Sequence, residues 1–295
     1  MNRREFTRNA AFAAAAIPLA SMVPIDKKEP EGIRKGIMWG SIGYGKTVLE
    51  KFRAAKEAGF DGVEVMSHMD RNEVLAASQD TGLPICSVCG NDHWRKPLSD
   101  PDPSVRDEGL AALKHTLEDA AAYKTDTILL VPGRVSDKVY YDDCWKRSVD
   151  QIKLALPLAE KLKVKIAIEN VWNNFLLSPV EAVTYIDQFK SKYVGWYFDC
   201  GNILNTGWPE QWIRILGKRI ARVHIKEFSK KLADEKGKSA GFGVKLLEGD
   251  VNWQAVMKAL KEIEYTAWTT IEQPGGDNPE GLKDLCDRLI KIQAS

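Results

Sequence analysis

The sequence predicts an α/β chain folded as a single-domain (β/α)8 (TIM) barrel, on three observations. From about residue 33 onward, short β-rich runs alternate with amphipathic helical stretches, and they do so eight times. The 295 residues accommodate one such barrel, which needs about 250, together with an N-terminal extension. No glycine-rich phosphate turn of the G-x-G-x-x-G type follows the first strand, as a dinucleotide-binding open sheet would want. The 44% hydrophobic and 28% charged content is that of an ordinary globular protein with one large core.

The elements follow in order. The first strand is expected at Arg34–Trp39, and a helix over Thr47–Ala58 ends in a turn at Gly59. Gly62–Met66 is the second strand, and Gly82 turns the chain into the third, Pro84–Cys89. A long amphipathic stretch, Arg106–Tyr123, leads to strand four at Thr127–Val131; another, Trp145–Lys161, leads to strand five at Val164–Glu169. Strands six and seven are read at Gly195–Asp199 and Arg222–Lys226. The helix Trp253–Ile263 precedes strand eight, Trp268–Glu272. Alternating strand and helix means parallel strands joined by right-handed crossovers, and eight units at this length argue for closure.

Residues 1–23 read differently. Arg3-Arg4, with Phe6 two residues on, precedes a weakly hydrophobic, Ala-rich run from Asn9 to Val23 that is too short to span a bilayer. The segment resembles a twin-arginine export signal, which implies a periplasmic or other extracytoplasmic location and no stable membrane insertion once the signal is cleaved. A short amphipathic N-terminal helix is the alternative. Residues 24–32 would be a linker and 33–295 the catalytic barrel. The formal net charge is +1, with no concentration of Lys and Arg that would suit nucleic acid. The five cysteines are scattered, and Cys86 and Cys89 sit inside a strand, so they are expected to line the core or the site.

In a barrel of this kind, chemistry gathers at the C-terminal ends of the strands. Strands five to eight end at Glu169, Asp199, near His224, and at Glu272, so four adjacent strands each bring one ligand-type side chain to the same rim. Three carboxylates and one imidazole suit one divalent cation, Mn2+ before Mg2+ or Co2+, better than a closed structural zinc site. Any one of these acids alone would read as a helix cap or a salt bridge. Lys226 shares a face with His224, because side chains alternate along a strand, and is read as an electrostatic catalytic group or a salt-bridge partner. Glu64, Asn91, His93, Arg134, Trp172 and Asn202 are the candidate substrate contacts; Trp39 and Trp94 also fall just after strands, where an aromatic face can stack on a ligand. Phe228–Gly249 is either a cover over the site or a solvated loop.

The motifs Ile168-Glu169-Asn170, Phe198-Asp199-Cys200-Gly201-Asn202, Val223-His224-Ile225-Lys226-Glu227 and Ile271-Glu272-Gln273 resemble the metal-binding strand ends of the xylose isomerase-like TIM-barrel superfamily. That group holds tagatose 3-epimerase-type enzymes, hydroxypyruvate isomerase, inosose dehydratase and AP endonuclease family 2. The resemblance implies a metal-dependent isomerase or epimerase acting on a ketose-type carbohydrate through a metal-stabilised enediolate. Glu169 and Glu272 would then be the acid/base pair as well as ligands. A homo-oligomer is left open.

The pattern departs from the tagatose 3-epimerase type at Asn202, where that branch carries a His. With only His68, His93, His115 and His224, the chain lacks the ligands for the endonuclease branch's three-metal cluster. Two alternatives remain. One is a lyase on the same scaffold, acting on keto-inositols or 3-keto-glycosides after the same proton removal. The other is a barrel that binds sugar without turning it over.

Overall fold

A computed structural model describes residues 32–295. The export-signal reading, residues 1–23, and most of the expected linker lie outside them. Eight parallel strands close into a barrel in the order β1 to β8, with β1 paired to β8.

In chain order the elements are β1 (Arg34–Met38), α1 (Val48–Ala58), β2 (Gly62–Met66), α2 (Arg71–Thr81), β3 (Ile85–Cys89) and α3 (Pro103–Ala122). Then come β4 (Thr127–Leu130), α4 (Tyr141–Leu162), β5 (Lys165–Glu169), α5 (Pro179–Asp187) and β6 (Val194–Asp199). The last third holds α6 (Cys200–Ile203), α7 (Pro209–Leu216), β7 (Ile220–Ile225), α8 (Lys230–Lys236), α9 (Trp253–Glu262), β8 (Trp268–Ile271) and α10 (Pro279–Gln293). Short α6 and α8 are additions to the eight-fold repeat; both lie in loops at the C-terminal ends of strands.

All eight expected strands form within two residues of their expected bounds. Local chemistry accounts for the helix ends. Thr47 and Glu50 form a reciprocal capping box at the start of α1, and Gly59 ends that helix at φ 100°, a left-handed conformation that costs glycine nothing. The strands are buried on both faces, and two clusters divide the core. Ile37, Val63, Val88, Ile128, Ile166, Phe198, Val223 and Ile271 pack outward against the helices. Cys89, Leu129, Val131, Ala167, Tyr197 and Ala221 fill the barrel interior beneath the rim. All five cysteines are buried and unpaired, and burial pushes the Cys86 thiol up to about 11, which fits packing rather than redox chemistry. Among the described residues, no helix is long and apolar enough to cross a membrane.

Candidate metal centre

Strand β7 sets the depth of the site. Its inward face carries Arg222, His224 and Lys226 in turn, because side chains alternate along a strand. Arg222 lies at the barrel floor, where its Nε donates to Cys86 O (3.1 Å) and its guanidinium pairs with Asp126. His224 is one step higher, 1% exposed, and Lys226 stands at the rim.

The register places the other ligand candidates around His224. Asp199, at the end of β6, pairs directly with it across the ladder. Glu169 ends β5, and Glu272 follows β8 with its N–H still bonded to Ile225 O (3.1 Å). Glu169, Asp199, His224 and Glu272 each offer a ligand atom, and all four atoms lie within 4.8 Å of one another. His224 Nδ1 is 3.2 Å from Glu169 Oε1 and 3.0 Å from Glu272 Oε2.

Two features make this a fit for a dication. Asp199 Oδ2 and Glu272 Oε2 are buried and make no hydrogen bond, although Lys226 Nζ comes within ion-pair distance at 3.3 and 2.9 Å. Buried oxygens without a hydrogen bond are costly, and an ion would satisfy them. Further, His224 Nε2 lies 3.0 Å from Glu64, which also accepts from Ser87 and Tyr197. A proton on Nε2, held by a carboxylate, leaves Nδ1 free as a ligand facing the other three acids. Residues that would hold the ion are therefore Glu169, Asp199, His224 and Glu272, an oxygen-rich set suited to a hard or borderline cation.

The electrostatics express crowding of charge. Burial raises Glu169 to about 7 and Asp199 to about 6, against the opposing pull of His224 on the one and Lys226 on the other. Burial also acts to raise Glu272, but Lys226 and His224 outweigh it and hold that carboxyl well below the ordinary range. Burial lowers His224 and Lys226, yet the surrounding carboxylates prevail and hold both above their usual values.

Above these groups opens a cavity of about 470 Å3. Asn91, His93, Trp172, Asn202 and Lys226 line it, as expected, and so does Trp94. Val131 N donates to His93 Nδ1 (3.4 Å), so neutral His93 carries its proton on Nε2. Burial pulls His93 down to about 4, which keeps it neutral. Three expectations need correction. Glu64 is fully buried beneath His224 and does not line the cavity, so it supports the imidazole instead of touching substrate. Arg134 is exposed, and its backbone N–H, not its guanidinium, is tied to Ser99 Oγ (3.1 Å), away from the cavity. Trp39 packs on Phe52 under the Lys51 ammonium, so it is rim packing.

The structure gives roles to residues that the sequence reading placed in the motifs without assigning them one. Glu227 is fully buried and accepts from Phe228 N, Leu247 N, Val251 N and Trp253 Nε1 at 2.8–3.2 Å. It clamps both ends of the Phe228–Gly249 segment, which folds into α8 and a 3-10 turn, Lys238–Gly243, and brings Phe242 into the cavity wall. Gln273 holds the same segment by donating to Phe242 O and Val244 O. Asn170 accepts from Asp199 N (3.0 Å) and donates to Asp199 O (2.8 Å), fixing that ligand. A Cβ at Gly201 would stand 2.7 Å from Lys226 O, so the turn after Asp199 reaches Lys226 only because that position is glycine. Each of Asn170, Glu227 and Gln273 directly follows Glu169, Lys226 or Glu272, so the buried polar neighbour was the available signal.

Fold and site together define an α/β barrel with an acid-rich, His-containing centre at the C-terminal ends of β5 to β8. The chain belongs to the xylose isomerase-like TIM barrel family, whose sequence pattern matches residues 52–292. It is 25% identical over 257 residues to the L-ribulose-5-phosphate 3-epimerase of Salmonella paratyphi A, covering 80% of this chain and 86% of that one. The corresponding protein of Escherichia coli O1:K1 is 26% identical over the same coverage. Among solved structures, the fold is similar to 3-keto-D-glucoside 4-epimerase from E. coli, with TM-score 0.74, 20% identity, and coverage of 89% of this chain and 100% of that one. It is also similar to D-psicose 3-epimerase from Clostridium cellulolyticum H10, with TM-score 0.72, 17% identity, and coverage of 89% and 99%.

Proposed function

We propose that this chain is a divalent-metal-dependent sugar epimerase or isomerase that removes and returns a proton on the carbon beside a ketose carbonyl. The observation that carries the reading is the placement of Glu169 and Glu272. They come from β5 and β8, at the two ends of the ligand row, and both approach His224 Nδ1 within 3.2 Å. Two carboxylates flanking one point give a base on one side of a bound carbon and a proton donor on the other. The sugar epimerase relatives support the same reading.

A bound Mn2+ would polarise the carbonyl oxygen and lower the acidity barrier of the adjacent C–H. Glu272, which Lys226 and His224 hold ionised, takes the proton. Glu169, which burial raises to about 7 so that it can hold a proton near neutrality, gives one from the opposite side, and return by Glu272 itself leads back to the starting sugar. Lys226, 2.9 Å from Glu272 and 3.3 Å from Asp199, places a positive charge beside the oxygen that becomes negative. His93 offers Nε2–H to a substrate hydroxyl, and Asn91, Asn202 and Trp172 line the rest of the cavity. The residues 1–23 motif supports export by the twin-arginine route, and protease accessibility in intact cells tests it.

The test of function is deuterium exchange. The Mn2+-loaded protein is incubated with D-fructose, D-tagatose and keto-disaccharides in D2O and followed by proton NMR. Loss of the hydrogen next to the carbonyl, with growth of an epimer or an aldose, is expected. An unsaturated or cleaved product would instead establish the lyase reading. No exchange with any ketose at full metal occupancy would leave only a binding protein.

A further inference from the structure

A second cavity of about 420 Å3 adjoins the first, and the two share Val171, Trp172 and Asn202. The partition is one side chain thick: Trp172 Nε1 donates to Asn202 O (2.9 Å) across it. Each volume lies within the roughly 300–1,000 Å3 typical of small-molecule sites.

The lining of the second cavity has the chemistry of a sugar site. Trp172 and the buried Trp212 contribute indole surface to its wall, and Asn174, Asn202 and Asn205 line it with amides, groups that both donate and accept. Asn202 is only 8% exposed, and although its Nδ2 is committed to Asn170 O, no donor among the described residues is bonded to its Oδ1. Among the described residues, no arginine lines either cavity. The cations are Lys226, already paired with Asp199 and Glu272, and Lys238.

Two further observations mark this region as built. The loop after β5 holds Asn174 at φ 58° and Leu176 at φ 56°, left-handed conformations that non-glycine residues adopt only when their surroundings enforce them. Leu176 N is pinned by Tyr141 Oη (2.9 Å), which is in turn bonded to Glu181. The Phe228–Gly249 insertion also reaches both spaces, Phe242 lining the first and Lys238 the second.

Resting on the function proposed above, we propose that the natural substrate is an unphosphorylated ketose carrying a second sugar ring. Its reacting ring sits at the Glu169/Glu272 centre, and its second ring crosses Trp172 into the neighbouring cavity. A glycosidic second ring uses indole surface and amides; a phosphate in the second cavity would meet the ammonium of Lys238 and no guanidinium among the described residues.

The experiment compares probes on the Mn2+-loaded full chain. Lactulose and isomaltulose carry a second ring on a fructose unit, D-fructose carries none, and L-ribulose 5-phosphate carries a phosphate. Exchange rates in D2O should give a kcat/KM at least about tenfold higher for a two-ring ketose than for D-fructose, the scale of one or two added hydrogen bonds. In Asn205→Trp, which fills the second cavity, that preference should collapse towards unity while the unfolding temperature stays near that of the parent. Asn205→Ala, which removes the amide without adding bulk, should lower the preference part of the way. Equal kcat/KM for one and two rings overturns the inference and leaves the proposed function standing, as does a higher value for L-ribulose 5-phosphate. An undiminished preference in a folded Asn205→Trp also overturns it. No exchange with any of the four sugars overturns the function reading itself.

Discussion

His224 has both ring nitrogens committed, and the division of labour between them sets the behaviour of the centre. Nε2 meets Glu64 at 3.0 Å below, while Nδ1 faces Glu169 and Glu272 above. Glu169→Gln or His224→Ala is expected to abolish stoichiometric binding of a divalent ion, read by elemental analysis of the purified protein; full occupancy in both variants would remove the site. Glu64→Gln keeps the shape but weakens the carboxylate's hold on the imidazole, so metal affinity should fall by about 10–100-fold. Unchanged affinity would reduce Glu64 to packing. The ligand types and their strand ends were legible in the sequence because charged and imidazole side chains ending hydrophobic runs are conspicuous. The role of Glu64 was not. Side-chain parity turns it inward, but its depth depends on a register shift between Val63 and Glu64 that sets Ser87 opposite it, and on Tyr197 reaching across the barrel.

At the scale of elements, period and punctuation made the eight strands and the long helices readable. The Phe228–Gly249 insertion was not readable, because α8 has no buried residue and so no apolar stripe. Its fold is dictated from outside, by Glu227 and Gln273. Removing the Glu227 carboxylate strands three backbone N–H groups and an indole N–H. Glu227→Ala should therefore loosen the insertion by about 2–3 kcal/mol, seen as roughly hundredfold faster amide exchange across Phe228–Val251. The strands should exchange as before. Exchange unchanged in the insertion would show that the clamp does not hold it. Arg134 illustrates a different limit: its position after β4 is right for a substrate contact, but Ser99 holds its backbone and leaves the side chain in solvent.

For the whole molecule, the crowded acids link metal, protons and stability. Glu169 and Asp199, raised to about 7 and 6, bind protons more tightly folded than unfolded, and His224 is raised as well. Stability that depends on those protons is lost as pH rises through the folded values. His93, lowered to about 4 from 6.5, works in the opposite direction, but only below its unfolded value. Between pH 6.5 and 8 the EDTA-treated protein should therefore lose urea resistance, whereas the Mn2+-loaded protein should hold it. Parallel pH profiles would contradict this. At a metal concentration 100-fold over its dissociation constant, loading should add about 2.7 kcal/mol, or roughly 5–10 °C in melting temperature. The ring of strands has a consequence for biosynthesis. Strand β1 finds its second neighbour only in β8, and Glu272, immediately after β8, is the last ligand to be synthesised. A nascent chain halted before Trp268 would have an open sheet with two unpaired borders and three of the four ligands. Tight metal retention thus reports that translation has passed β8 and that the ring has shut, so the ion acts as a seal on a finished fold.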